Sequence, residues 1–384
     1  MQSLCQSTIM KQLNSLRTLN NNSLKPSLNR VIRRHSGNHP TAIRFRSSVS
    51  FVYWNILKKP YWPVLTGQMK SHTTLFIKMG TRHLINHPLA TIMQPDTLPD
   101  QTYDFNPAPV AIGGVGGSGT RLIAAILGRL NFYMGSDLNP ANDNLAFTLL
   151  FKQTNLWPLN EHAEQIRHSL RIFLNTMYLR QPLSEQDIRD IQGIAANARF
   201  DTPKEWLHDR ANKLINSATA EGRPSRWGWK EPNTHIFLPT LIENIPNLKY
   251  IHVMRHGLDM AHSVNQAQLH YWGGALTGAP TVNGSPEESF RYWCAAHHRV
   301  VNIGKQMGTN FLLLNFDDFC REPETGIKML LEFLNVKHSN LAPEYLLDMV
   351  CRPVSTGRHK SKPKVTASEG DIDTLRQFGF DYYQ

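Results

Sequence analysis

From residue 109 onward, apolar positions alternate between short β-branched or aromatic runs and longer stretches with helical spacing. Pro109-Val-Ala-Ile-Gly113 predicts a short buried strand that runs directly into a Gly-rich stretch, 113–119. Residues 122–130 continue with apolar side chains and no breaker except Gly128, which predicts a helix. Residues 160–219 read as mostly helical. Within them Ser184 with Asp187 resembles a capping box, and Thr202-Pro203 with Glu205 places a cap, a proline in the first turn and an acid two residues on. Further along, the pattern predicts a strand at 226–230, a helix at 234–244, a strand at 248–254 and a helix at 257–269. The Gly- and Pro-rich stretch 270–286 predicts a loop, followed by a helix at 287–307, a strand at 310–315 and a helix at 323–334. Strands alternating with helices of this length argue for an α/β fold, a parallel sheet with helices on both faces and 160–219 as a helical insertion.

Charge divides the chain unevenly. The net charge is +11, yet residues 1–95 hold 13 Lys or Arg and no Asp or Glu, so the remaining 289 residues carry 28 basic and 30 acidic side chains. The basic character that would suggest nucleic acid thus belongs to an appendage, and no nucleic-acid partner is expected for the nearly neutral body. Residues 1–95 lack sustained periodicity and read as a disordered basic extension, either an organellar targeting segment or an over-extended start. Residues 96–107 read as a polar, Pro-bearing linker. Four cysteines without paired spacing fit a reducing compartment, so a cytoplasmic location is expected, with organellar targeting as the alternative. No apolar run reaches the roughly 18 residues of a membrane span. Of the seventeen histidines, His297-His298 and His162 with His168 lack the i, i+4 spacing that aims two imidazoles at one ion, so no metal is expected.

Two motifs carry chemistry. Gly113-Gly-Val-Gly-Gly-Ser-Gly-Thr-Arg121 lies between a predicted strand and a predicted helix, where glycines bring backbone N–H groups close to a phosphate or sulfate and Ser118 and Thr120 can add hydroxyl donors. Aligned to the nucleoside-triphosphate loop from Gly114, the lysine position holds Thr120 and the hydroxyl position holds Arg121, which argues against ATP. In the second motif, Arg255 stands at the carboxyl end of a predicted strand and Ser263 falls in the first turns of the next helix. Guanidinium plus hydroxyl suits a second phosphate.

The Gly-rich Ser118-Gly-Thr-Arg121 loop, then Trp227-Gly-Trp-Lys-Glu-Pro232, then Arg255-His-Gly-Leu-Asp259 with Ser263, resemble in this order the sulfotransferase superfamily, most closely its bacterial members and tyrosylprotein sulfotransferases. The resemblance covers residues 108–384, including Asn315-Phe-Asp-Asp-Phe319 and Ser355-Thr-Gly-Arg358. It implies a P-loop-kinase-like α/β sheet and transfer of a sulfuryl group from 3′-phosphoadenosine 5′-phosphosulfate (PAPS) to a hydroxyl or amine of a small-molecule, carbohydrate or peptide acceptor. By resemblance Gly116, Gly117, Ser118, Gly119, Thr120 and Arg121 would hold the 5′-phosphosulfate, Arg255 and Ser263 the 3′-phosphate, and Arg358 would close over the nucleotide. One position departs from the pattern: family members usually carry Lys or Arg where this chain has Gly117. Lys230, which matches the lysine of the K-[DE]-P motif of tyrosylprotein sulfotransferases, is the leading replacement, with Arg121 second. Asp143 is the first choice for the acceptor's base, Asp137 the second, and His256 and His262 remote ones. The stretch around Trp272-Gly-Gly274 is expected to be a flexible loop meeting the acceptor. A small-molecule kinase, or a degenerate sulfotransferase-like binder of nucleotide or sugar, are the alternatives.

Overall fold

The computed structural model describes residues 102–199, 202–217, 222–337 and 342–383. The expectations for residues 1–95 lie outside them, as do residues 96–101 of the linker. Four strands, β1 (Val110–Gly114), β2 (Gly228–Lys230), β3 (Lys249–Met254) and β4 (Phe311–Asn315), form one parallel sheet in the order β2-β1-β3-β4. Strand alternation divides the core in two. Val110, Ile112, Ile251, Val253 and Leu314 pack on one face, and Ala111, Trp229, Tyr250 and Met254 on the other.

The first face is covered by α1 (Thr120–Arg129), through Ile123, Ile126 and Leu127, and by a later helix through Ile327 and Leu330. The second face meets a larger aromatic core. It includes α2 (Leu145–Phe151) and the helices α3 (Ala163–Leu174), α4 (Glu185–Ala196) and α5 (Lys204–Ser217), which lie between β1 and β2 in sequence. The capping box of Ser184 and Asp187 is present at the start of α4. The second face also meets α6 (Thr234–Asn244), whose bounds match the predicted helix.

After β3 the chain departs from expectation. The helix expected at 257–269 is broken into α7 (Gly257–Ala261) and α8 (Ala267–Thr277), and α8 runs into the stretch expected to be a loop. Tertiary packing overrides the two glycines, each of which costs a helix interior about 1 kcal/mol. Trp272 is fully buried and donates its ring N–H to Asn233 Oδ1 at 2.9 Å, so it belongs to the core and not to an acceptor loop. At Gly273 a Cβ would lie 2.3 Å from Thr281 Oγ1, so only glycine allows the following segment to close on the helix. Helix α9 (Pro286–Met307) begins at a capping box of Ser285 and Glu288, and after β4 come α10 (Phe316–Arg321), α11 (Pro323–Phe333), α12 (Glu344–Leu347) and α13 (Glu369–Gln377). Among the described residues no helix is long and apolar enough to cross a membrane.

The sequence runs from β1 to β2 on one side and then to β3 on the other, so β1 and β3 are neighbours whose connections leave in opposite directions. Ligands of open α/β sheets bind at such a point, outside the carboxyl ends of the strands. The Gly-rich loop, Lys230, Arg255 and Asn315 all stand at those ends.

Candidate active site

The loop after β1 folds on itself, with Ser118 N–H donating to Val115 O at 3.0 Å, and enters α1 through Gly119. Gly119 has φ 106°, and a Cβ there would lie 2.3 Å from the Phe316 ring. Among the described residues the N–H groups of Gly117, Gly119, Thr120 and Arg121 meet no protein acceptor. The Ser118 hydroxyl is fully buried and likewise without a partner. Unsatisfied donors at the start of a ten-residue helix suit a bound anion.

Gly117 explains its own departure from the usual Lys or Arg. Its φ is 92°, and a Cβ would sit 3.4 Å from Met260 Cε and 3.6 Å from Ser263 Oγ, so a side chain there would strain the turn.

Lys230, at the end of β2, is 1% exposed and its ammonium donates to Asp143 Oδ1. Burial lowers its pKa, Asp143 and Glu231 oppose the shift, and Arg121 nearby adds to it. Asp143 is fixed by a turn in which its N–H donates to Asn139 Oδ1 at 2.8 Å while Asn139 Nδ2 donates to Asp143 Oδ2 at 2.7 Å. The leading cation and the first-choice base are therefore joined to each other. Glu231, next in the chain, was given no role in the sequence reading although it stands in the same motif. Burial, with the Asp143 charge nearby, pushes its pKa up to about 7 against the pull of Asn233. Asp137, the second choice for the base, accepts at both carboxylate oxygens from Arg210 of α5 at 2.6 and 2.8 Å.

Arg255 is buried and already partnered. It donates to Ser355 Oγ at 3.1 Å and Thr356 Oγ1 at 3.3 Å, and pairs with Asp259 at 3.5 Å and Asp317 at 3.8 Å. Asp259 in turn accepts from Gly357 N–H at 2.7 Å, His359 N–H at 3.1 Å and, through the same oxygen as the last, lies 2.7 Å from His359 Nδ1. Burial works to raise the Asp259 pKa, but the hydrogen bonds from His359 and Gly357 prevail and lower it to about 2. Arg358 reaches the same corner, donating to Ser355 O at 3.2 Å and His262 O at 3.4 Å; burial and the neighbouring Arg255 lower its pKa. Ser263 stands instead beside Gly117 and accepts from Asn265 N–H at 3.2 Å. His256 stacks on His359 with ring centroids 4.4 Å apart and is pushed down to about 4 by burial and by that ring. Neither His256 nor His262 approaches the Lys230–Asp143 pair through any hydrogen bond of the described residues.

Residues 109–340 match the sulfotransferase family. This chain belongs to that family. Among solved structures it is similar to the sulfotransferase domain of the Synechococcus PCC 7002 olefin synthase, with 16% identity, a TM-score of 0.42, and coverage of 74% of this chain and 98% of that one. A sulfotransferase domain from the curacin biosynthetic pathway gives 13% identity, a TM-score of 0.40, and coverage of 73% and 99%. A Mycobacterium avium sulfotransferase gives 12% identity, a TM-score of 0.31, and coverage of 63% and 66%. No curated protein matches. The sulfotransferase thus brings its loop, Lys230 and Asp143 to one end of the sheet, and collects Arg255, Arg358, Asp259 and Asp317 a strand away. The feature invisible in sequence is the pairing of Lys230 with Asp143 and of Arg255 with Asp317, partners remote along the chain.

Proposed function

We propose that this sulfotransferase transfers a sulfuryl group from PAPS to a hydroxyl or amine of its acceptor by in-line displacement. The observation that carries the reading is the set of donors left open at the loop: four backbone N–H groups and the buried Ser118 hydroxyl. PAPS supplies the activated sulfuryl group. Residues 116–121 bind its 5′ end, Arg358 closes over the nucleotide, and Arg255 and Ser263 serve the 3′-phosphate, for which Arg255 turns part of its guanidinium from Asp259 or Asp317. Lys230 replaces the cation that Gly117 cannot carry. A compact ammonium held in a dry site stabilises negative charge without reorganising water. As Lys230 turns toward a bound anion it leaves Asp143 Oδ1, and that oxygen accepts the proton of the acceptor hydroxyl. The acceptor is a small molecule, carbohydrate or peptide.

Calorimetry with 3′-phosphoadenosine 5′-phosphate against ATP tests the donor. Micromolar binding of the former alone is expected, and equal binding of both would overturn it.

A further inference from the structure

The Gly-rich loop is held from outside by one side chain that no motif marked. Gln268, buried in the first turn of α8, donates from Nε2 to Gly114 O at 3.1 Å and accepts at Oε1 from Gly116 N–H at 3.2 Å. Tyr292 of α9 donates to the same Oε1 at 3.4 Å. We propose that Gln268 is a positioning residue that sets the shape of the anion-binding loop.

The argument is one of complementarity. A primary amide offers a donor and an acceptor in one plane, the pattern that a carbonyl and an N–H two residues apart present together. By taking both, Gln268 keeps the Gly114 carbonyl from facing an anion, where its dipole would repel. It also commits the Gly116 N–H, so that the remaining free donors begin at Gly117. The same turn of α8 holds the neighbouring wall. Gln266 Nε2 donates to the carbonyls of Met260 and Ala261 at 3.2 Å each and of Ser263 at 2.8 Å. The break between α7 and α8 therefore gives two glutamines access to the loop and to the Ser263 segment, which an unbroken helix would not. The proposal rests on the reading that this loop binds an anion.

The test uses the full chain with Gln268→Leu and Gln268→Glu and two measurements: hydrogen exchange of the ligand-free loop segment 114–121, and calorimetric affinity for 3′-phosphoadenosine 5′-phosphate from pH 5 to 8. Gln268→Leu is expected to speed exchange in that segment, leave distant segments unchanged, and weaken nucleotide binding about tenfold. Gln268→Glu at pH 8 carries a carboxylate that cannot donate to Gly114 O, and is expected to bind at least as weakly. As pH falls the new buried carboxyl takes up a proton, donates to Gly114 O again, and affinity recovers relative to the parent. Glu231, beside the Pro232 carbonyl that accepts from Gly114 N–H and raised to about 7 by burial, titrates within this window in parent and variant alike, so the comparison with the parent cancels it. Burial holds the Tyr292 phenol far above its ordinary value, and burial together with Arg299 and His297 holds His235 down to about 3. A space-filling role gives no such recovery. Parent-like loop exchange in Gln268→Leu, or a Gln268→Glu profile parallel to the parent's, overturns the proposal. If Gln268→Leu fails to fold, the Gln268→Glu profile decides. Should the parent itself not bind the nucleotide, the donor reading fails while loop exchange still decides the role of Gln268.

Discussion

The ammonium of Lys230 donates to the carboxylate of Asp143, 87 residues earlier in the chain. The two groups that sequence reasoning assigned to opposite ends of the reaction, charge stabilisation and proton acceptance, are one ion pair. Burial lowers the Lys230 pKa, and the Asp143 carboxylate opposes that shift.

Lys230→Ala is expected to lower turnover about 10²–10³-fold while changing nucleotide affinity less than about tenfold, because a cation at the transferring group acts chiefly on the chemical step. Lys230→Arg restores little, since a planar fork does not replace a point charge in a site this closed. Single-turnover transfer of labelled sulfate decides it. A Lys230→Ala enzyme as fast as the parent moves the role to Arg121.

Asp143→Ala strands the lysine. Leaving a buried ammonium without its partner is expected to destabilise the fold by about 3 kcal/mol, measured by chemical denaturation at neutral pH. Replacing both residues, Lys230→Met with Asp143→Ala, should recover most of the loss. A double variant no more stable than Asp143→Ala would show that the pair is not the source.

Arg255→Ala should weaken 3′-phosphoadenosine 5′-phosphate binding by about 1.5–3 kcal/mol and adenosine 5′-phosphate binding far less, with Ser263→Ala following in smaller measure. The structure adds a second cost. Asp259 and Asp317 lose their shared cation, so the melting temperature of Arg255→Ala should fall while that of Ser263→Ala stays near the parent's. Equal weakening for both nucleotides would remove the 3′-phosphate from this corner.

Gly117→Arg, which restores the usual cation, is expected not to rescue Lys230→Ala. The left-handed backbone at φ 92° costs a side-chain-bearing residue about 1–2 kcal/mol, and Met260 and Ser263 stand where the side chain would leave. Rescue measured in single turnover would mean that the loop can rearrange.

Four histidines set an acid limit: His235, His252 and His297 are fully buried and His256 partly so, and burial holds His252 well below its ordinary value. His256 and His297 are pushed down to about 4 and His235 to about 3, in each case chiefly by burial. Unfolded imidazoles titrate near 6.5, so below about that pH the unfolded chain binds protons that the folded one refuses. Stability should therefore fall as pH drops from about 6.5 to 4.5, each histidine adding up to about 1.4 kcal/mol per pH unit. Glu231, raised to about 7, and Asp317, also raised by burial, act in the opposite sense, but the four histidines outnumber them. His297→Phe should flatten the slope in denaturation from pH 4.5 to 7; an unchanged slope would refute the assignment.

What the sequence made legible is local. The run at 248–254 and the glycines at 113–119 carry their own geometry, and α6 was placed to the residue. What it hid depends on distant partners. Trp272 looked like a loop aromatic because nothing nearby announces Asn233, and Gly273 and Gly274 looked like breakers because their helix is held by packing. Helices α2 and α10 were missed because each is short and starts at an asparagine cap, Asn144 and Asn315, with too few turns for periodicity to register. Arg255 was read as an open hand for phosphate, whereas two carboxylates and two hydroxyls already close on it. Motif spacing reports which groups are near a strand end and says nothing of what they hold.

That closed hand bears on how a ligand arrives. With Asp259 and Asp317 around Arg255, the guanidinium projects little field into the solvent, and an approaching polyanion feels scant attraction from it. On the proposed reading of this corner, capture is an exchange of partners made on contact, after diffusion has already delivered the ligand. The association rate at this corner should vary only weakly with ionic strength.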